Sequence, residues 1–571
     1  MFRVVLVDGY VDEPACFGVP PYISPYVRYV AGAVWDTVGN ADIKYFTIDF
    51  VRENFKLVRK AVESCHLLII VMGVTVPGKY LGGKPLTIRE AIRLFGFECD
   101  CVKVLGGPAA RFGCGFEGGK LSEPPEMAEP YFDAVVSGDI ECYVKNLLEN
   151  DLNPENVDPT EMRPNSSYIR DFAIKGAKIV TQHPNYPDYL ICEIETYRGC
   201  PRSIVGGCSF CTTPLYGPPD FRPVKDIVDE VKALYKLGIR AFRLGCQPDL
   251  FAYMAHGAGE EEFPRPNPEA LRKLYSGIRR VAPNLRTLHM DNGNPGTIAK
   301  HPEECREIAK IIISYHTPGD VVALGIESAD PKVIKANNLK TLPEESLEAI
   351  KLLNEVGAKR GYNGLPELLP GINFVHGLPG ETRKTFELNY QFLKQILEEK
   401  LLVRRINIRQ VIPFPGTRIE RKSIYIIRKH KRIFKLYKEK IRREIDHEML
   451  KIIIPTGTVL REVYTEKHIG NYTYARQLGT YPILTVIHER LPLGKYIDVK
   501  VADHGMRSVT AVPYPLDPNT ATMNLLQTVP GIGKKVATRI VANRPYKDLK
   551  DFMEKLESMG IESKNVIKWF T

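Results

Sequence analysis

Apolar and polar positions divide the chain into stretches of different period. From residue 1 to about 150, near-continuous apolar runs alternate with helical stretches. The runs are VVLVDGY (4–10), HLLIIVMGV (66–74), VKVLGGP (102–108) and DAVVSGD (133–139). Runs of this kind ending in glycine are the pattern of strands buried in a parallel sheet. They predict a doubly wound α/β domain over 1–150, with a ligand crevice at the carboxyl ends of its strands. Gly9, Gly73, Gly106, Gly107 and Gly138 stand at those ends. Glycine there either lets a ligand approach the backbone or serves a tight turn.

A linker, 151–184, follows and opens on the turn-rich DLNPENVDPTEMRPNSS. From 185 to 417 a second strand–helix series reads YLICEIET (189–196), AFRLGCQ (241–247), TLHMDN (287–292), VVALGIES (321–328), GINFVHG (371–377) and INIRQVIPF (406–414). Helical patterns such as 224–238 and 343–357 lie between, and Gly238 closes the first of them as a C-cap. This alternation predicts a parallel sheet curved into a full or partial barrel with its chemistry at the C-terminal mouth. Residues 418–452 lack Pro and Gly and read as one long helix. The stretch 453–519 alternates in short strands, as a small antiparallel barrel does. Residues 520–571 are helical around VPGIGKK (529–535).

Composition changes this picture in two places. The 571 residues, 44% hydrophobic and 26% charged, exclude a disordered or collagen-like chain. The apolar run Leu67–Val74 is far short of the roughly 18 residues that span a bilayer. The opening MFRVVLVDGY reads as a strand entering a turn, not as a signal peptide, which predicts a cytoplasmic protein with no membrane partner. The net charge of +10 is concentrated. Residues 401–450 hold 15 Lys and Arg against 5 Asp and Glu, an excess equal to that of the whole chain. Such a segment either meets a polyanion such as RNA or is a solvated helix face.

Twelve cysteines are too few for a disulfide scaffold. One triplet stands apart: Cys200, Cys208 and Cys211, in C-x7-C-x2-C spacing, on a loop with Gly199, Gly206 and Gly207 just after a strand. Thiolates on a flexible loop wrap a metal cluster, and cysteine-only ligation is typical of iron–sulfur sites. A zinc site completed by His183 or Cys192 is the other reading of the spacing.

The triplet, with Phe210 before its last cysteine, resembles the radical S-adenosylmethionine (SAM) superfamily. LGIESADPKVIK (324–335), INFVHGLPGET (372–382) and IRQVIPFPGT (408–417) are similar to barrel strands of the branch that holds methylthiotransferases and cobalamin-dependent members. The usual first gap is three residues, and here it is seven. The resemblance implies a [4Fe–4S] cluster on the three cysteines, with SAM on the open iron. It implies cleavage of SAM to a 5′-deoxyadenosyl radical by an electron from an external donor. As SAM contacts it implies Phe210, Gly245 and Gln247, where the family often has Gly-Gly-Glu, and Glu327 and Ser328, which otherwise cap the next helix. Asn292 and His376 stand at strand ends as further SAM contacts, with a core role the alternative for His376.

VLGGPAARFG (104–113) and DAVVSGDIE (133–141) resemble the cobalamin-binding domain of such enzymes, although the Asp-x-His-x-x-Gly motif is absent. That implies cobalamin at Gly9, Gly106, Gly107 and Gly138, or a domain that has lost its ligand. Cys16, Cys65 and Cys114 do not suit the second cluster of a methylthiotransferase, because Cys65 begins its strand. MNLLQTVPGIGKKVATRIVANRPY (523–546) resembles a helix-hairpin-helix, whose Gly531 and Gly533 amides and Lys534 and Lys535 charges contact phosphate. The small β-domain faintly resembles a TRAM domain. Together these features predict a radical SAM enzyme that methylates a macromolecule, RNA in the first instance. Methylthiolation, methylation of a protein side chain, and a nucleic-acid-binding protein with a structural metal are the alternatives.

Overall fold

A computed structural model describes residues 1–12, 20–76, 78, 80, 83–419 and 422–570. The N-terminal domain is a five-stranded parallel sheet of β1 (Arg3–Asp8), β2 (Asp42–Thr47), β3 (Leu67–Val71), β4 (Val102–Gly106) and β5 (Ala134–Val135). The strand order is β2-β1-β3-β4-β5, the flavodoxin-like doubly wound order, whose switch point lies between β1 and β3. The edge strand β2 has no counterpart among the apolar runs, because polar Asp42 and exposed Lys44 interrupt its pattern.

The second unit is a split barrel of six parallel strands: β6 (Ile191–Glu195), β7 (Ala241–Gly245), β8 (Thr287–Met290), β9 (Asp320–Glu327), β10 (Leu368–His376) and β11 (Arg405–Gln410). β8 and β9 are joined through Asn292–Gly293, which pairs with β9. The two-residue strand Tyr22–Ile23 of the N-terminal part pairs in parallel with the outer side of β6.

Alternation decides which side chains face inward. Cys192, Ile194, Phe242, Leu244, Leu288 and Met290 are buried against the surrounding helices. Glu193, Arg243, His289 and Asp291 therefore point into the lumen, where Arg243 pairs with Glu193 at 2.7 Å and Asp291 at 3.0 Å.

Residues 151–184 are not a loose tether. Arg170–Gly176 is helical and lies against helix Pro25–Thr37 so closely that a Cβ on Gly32 or Gly176 would overlap the facing backbone. Turn-forming Pro and Asn at the start of this segment hid the helix behind them. The basic segment is helix Ser423–Ile441, a π turn Arg442–Asp446 and helix His447–Ile453.

Next comes a closed barrel of β12 (Val459–Ile469), β13 (Tyr472–Gln477), β14 (Leu484–Ile487), β15 (Tyr496–His504) and β16 (Ser508–Pro513). Its order is β12-β13-β14-β16-β15, with β14 and β16 parallel, which is the Greek-key order of an OB-fold. The β13–β14 loop enters the split barrel. Thr287 Oγ1 donates to Leu478 O at 2.7 Å, Thr480 N donates to His289 Nδ1 at 3.1 Å and Tyr481 OH donates to Asp291 at 2.9 Å. Helices Met523–Thr528 and Lys534–Ala542 form the hairpin, followed by Leu549–Ser558 and Ser563–Ile567. No helix among the described residues is long and apolar enough to cross a membrane.

Candidate active site

The cysteine loop leaves the C-terminal end of β6. It is pinched at its base, where Tyr197–Arg198 pairs antiparallel with Asp220–Phe221. Gly199 has φ +88° and a Cβ there would overlap Pro218 O, so this crossing admits only glycine. The seven-residue gap is a 3-10 turn, Pro201–Val205, closed by Gly206 and Gly207 at φ +75° and +61°. That turn carries Arg202 back to the cysteines. Buried Arg202 donates from Nη1 to Cys208 Sγ at 3.1 Å, and its other nitrogens reach Glu262 and Asn338 O at 2.9 Å.

Cys200 and Cys208 are buried and Cys211 half-buried. Burial, then the neighbouring Cys211, pushes the Cys200 thiol up to about 12, and burial also raises Cys211. A bound cation reverses that preference, because a coordinating thiol is deprotonated. Lys340 adds charge here. Burial alone would lower its pKa, but Cys208 and Glu327 hold it above the ordinary value, and its Nζ lies 3.6 Å from Glu327. Three cysteines on one loop have the donor chemistry of an iron–sulfur cluster, although among the described residues no three His, Cys, Asp or Glu side chains are drawn together around a metal position. Neither candidate fourth zinc ligand joins it: Cys192 faces the outer helices, and His183 lies beside Tyr45 of the N-terminal domain.

Around the loop, the strand ends build the mouth. A Cβ on Gly245 would overlap the Glu193 carboxylate, which keeps this floor bare. Gln247 is buried; its Nε2 donates to Leu244 O at 3.3 Å and its Oε1 has no partner. An orphaned acceptor at this depth suits a donor group of a cofactor. Asn292 Nδ2 donates to Gln247 O at 3.1 Å. Cys246 and Glu327 have φ +60° and +67°, left-handed values unusual for these residues, at the ends of β7 and β9. Burial raises the Glu327 pKa against the opposing effect of Lys340. Phe210 packs in a cluster with Cys208, Val375 and Val411.

Two expected contacts take other roles. Ser328 Oγ accepts from Asp330 N at 3.1 Å, and Asp330 in turn caps the following helix by accepting from Lys332 N at 3.0 Å. His376 does not reach the mouth. Its Nδ1 bonds Glu381 at 2.9 Å and its ring stacks on Phe386 at 4.4 Å, because position 376 falls on the outward phase of β10. Arg202 and Lys340 were not singled out from the sequence. Both come from residues beside the motifs, and only the folded loop turns them towards the thiols.

In the N-terminal domain, the space beside the four glycines is occupied by the chain itself. A Cβ on Gly9 would lie 2.9 Å from Val71 O, one on Gly106 2.5 Å from Ile140 Cδ1 and one on Gly107 3.1 Å from Met72 O; on Gly138 it would overlap Glu161 O. On their Cβ side these four positions pack against the chain itself. Gly73 differs: a Cβ there would make only ordinary contact, with Ser24 Oγ at 3.8 Å and Tyr26 Cδ2 at 4.0 Å. Ser24 Oγ is buried without a partner, and Tyr26 lies within electrostatic reach of Cys246 at the mouth. Cys65 and Cys114 stand at opposite ends of the sheet, and Cys16 lies outside the described residues.

On helix Ser423–Ile441, buried Ile427, His430, Phe434 and Ile441 face the protein. Arg428, Lys429, Lys431, Arg432 and Lys435 are exposed on the other side. At the hairpin, Gly531 has φ +90°, Gly533 opens the second helix and Lys534 and Lys535 are exposed. A shallow, open depression lies between the hairpin and β15, lined by Ala502, Asp503 and residues 527–533.

A sequence-family description of the Radical SAM superfamily matches residues 194–393, and one of the helix-hairpin-helix motif matches 515–563. The chain is 47% identical over 515 residues to an uncharacterized protein of Methanocaldococcus jannaschii, covering 89% of this chain and 92% of that one. It is 30% identical over 196 residues to the ribosomal protein uS12 methylthiotransferase RimO of Treponema denticola, covering 33% of this chain and 39% of the relative. Among solved structures, the cobalamin-dependent SAM radical enzyme OxsB aligns with 79% of this chain and 56% of its own, at 11% identity and a TM-score of 0.48.

Proposed function

Since the chain belongs to the radical SAM superfamily, and is on that ground a radical SAM enzyme, we propose that it methylates RNA. The cluster and SAM, when bound, supply a carbon-centred radical able to remove hydrogen from an unactivated carbon. The chain's own residues hold and shield that chemistry. Cys200, Cys208 and Cys211 are the cluster ligands, with Arg202 donating to one sulfur and Lys340 balancing their charge. Gln247 Oε1 would accept from the amino group of SAM, Glu327 from its ribose hydroxyls, and Phe210 would pack beside the adenine.

The observation that carries the RNA reading is the exposed basic face Arg428–Lys435. It is continuous in sequence with a barrel of OB order and then with the Gly-Ile-Gly-Lys-Lys hairpin. Basic faces of this kind neutralise phosphates and release counterions. Methylation is favoured over methylthiolation because Cys65 and Cys114 lie too far apart to share a second cluster. Cobalamin, if it carries the methyl group, would lie at the strand ends of the N-terminal domain near Gly73 and the unpartnered Ser24 hydroxyl. The test is anaerobic reconstitution with iron, sulfide and cobalamin, then reaction with methyl-labelled SAM, a reductant and total archaeal RNA. Label in RNA together with 5′-deoxyadenosine is the expected result. Label in ribosomal protein instead of RNA would overturn the substrate, and sulfur incorporated with the methyl group would overturn the chemistry.

A further inference from the structure

The last barrel strand carries cations that the cluster does not use. Along β11, Ile406 and Ile408 are buried against the helices, so Arg405, Asn407 and Arg409 point into the lumen, where each is partly exposed. The lumen carboxylates are already engaged: Glu193 and Asp291 with Arg243, and Glu327 with Lys340. Among the described residues, neither Arg405 nor Arg409 has a carboxylate within ion-pair distance, and Arg405 Nε is buried without an acceptor. Burial, and then the like charge of Arg405, hold the Arg409 pKa below its ordinary value. Partly desolvated guanidiniums left unpaired in this way are satisfied by an anion.

Aromatic rings share the same space. The Tyr481 ring lies 4.2 Å from the Arg405 guanidinium. Tyr10 stands edge-on to Tyr22 at 4.3 Å and to Tyr80 at 6.0 Å; Arg243 lies 5.6 Å from the Tyr22 ring, and Tyr80 is within electrostatic reach of Arg409. Unpaired guanidiniums beside aromatic faces suit a nucleotide, with phosphate on the cations and the base stacked on a ring. An acidic protein side chain would use the arginines and leave the rings without a role. Tyr481 also belongs to the loop that the OB-type barrel inserts, so the module suited to a nucleic-acid strand lines this pocket as well.

We propose that Arg405 and Arg409 form a phosphate subsite inside the barrel, holding one nucleotide of the substrate with its base among Tyr10, Tyr22, Tyr80 and Tyr481. This rests on the reading that the substrate is RNA and specifies the unit that enters.

The test is calorimetric titration of AMP, CMP, GMP and UMP, and of the four nucleosides, into reconstituted protein with SAM present. At least one monophosphate should bind, and its nucleoside should bind about tenfold or more weakly, as loss of a charge-assisted contact implies. Arg409→Gln and Arg405→Gln should each weaken that monophosphate about tenfold. Equal affinity for monophosphate and nucleoside overturns the subsite, as do variants that bind like the parent. A parallel loss of SAM affinity in Arg409→Gln assigns the arginine to the cofactor and overturns it too, as does tighter binding of a tetraglutamate peptide than of any monophosphate. If a variant fails to fold, the comparison on the unaltered protein decides alone. Titration needs no turnover, so failure of the subsite is read separately from failure of RNA methylation.

Discussion

Glu230→Gln is the substitution whose cost follows most directly from the fold. Glu230 lies between Arg28, at 2.7 Å, and Arg222, at 2.6 Å, and all three side chains have zero exposure. Glutamine keeps the shape and removes the charge, leaving two guanidiniums in a dry interior. Breaking one buried pair costs about 3–5 kcal/mol. The second arginine shares the same partner, so its loss is not additive, and both arginines keep carbonyl acceptors. A loss near the upper end of that range is expected. Lys225→Ala is the control: it lies on the same helix in an exposed pair with Asp229 and should cost less than about 1 kcal/mol.

Urea unfolding followed by Trp35 fluorescence reports the event locally, because Trp35 shares a helix with Arg28; Trp569, the other tryptophan, is replaced by Phe in the background. The effect reaches the active site. Arg28 donates to Glu193 O at 2.5 Å and Arg222 to Glu195 O at 3.0 Å, at the end of β6 from which the cysteine loop departs. Iron should therefore be lost faster from the variant. A midpoint no lower than that of Lys225→Ala would refute the reasoning.

Four further outcomes follow from the same structure. Ala at Cys200, Cys208 or Cys211 should abolish the broad absorbance near about 400 nm of a reconstituted cluster, whereas Ala at Cys65 and Cys114 together should leave it intact. Lys340→Met should weaken SAM binding and cluster retention with little change in folding, read by SAM titration and iron content. Asp8 is buried and its pKa is raised by burial from 3.8 to about 7, so the unfolded chain holds fewer protons between those values and stability falls as pH rises through them. Asp8→Asn should remove that share of the decline, seen as a flatter profile of melting temperature between about pH 4 and 7. Lys534→Ala with Lys535→Ala should weaken RNA binding and flatten its salt dependence by roughly 0.7 per lost contact on single strands, measured by filter binding across a salt series.

The barrel strands were legible because parallel strands covered by helices are nearly continuous apolar runs, and all six fall where those runs stand. Spacing singled out the cysteine loop but left iron–sulfur and zinc open, and the neighbouring motifs chose between them. What escaped were features set by partners distant in sequence. β2 is an edge strand with a broken pattern. Lys340 follows the last residue of an identified motif by five positions, in the loop after helix Pro331–Ala336, and becomes part of the site only when that loop folds back towards Cys208. Gly106 and Gly138 stand at strand ends as a ligand-contacting glycine would, but Ile140 and Glu161 lie close on their Cβ side, and sequence does not distinguish the two demands for glycine. His376 was one residue out of phase with the lumen, a difference that alternation along β10 settles.

The short pairing of Tyr22–Ile23 with β6 has a consequence for biosynthesis. A split barrel ends in an unpaired strand edge, and such an edge templates the addition of strands from other chains. Here the edge strand is the one that carries the cysteine loop. Its cover comes from a segment made long before it on the ribosome, within a domain that folds as a unit ahead of the barrel. When β6 emerges, the segment that pairs with it has already been synthesised. The nascent barrel is thus guarded against mispairing during the interval before its cluster is loaded.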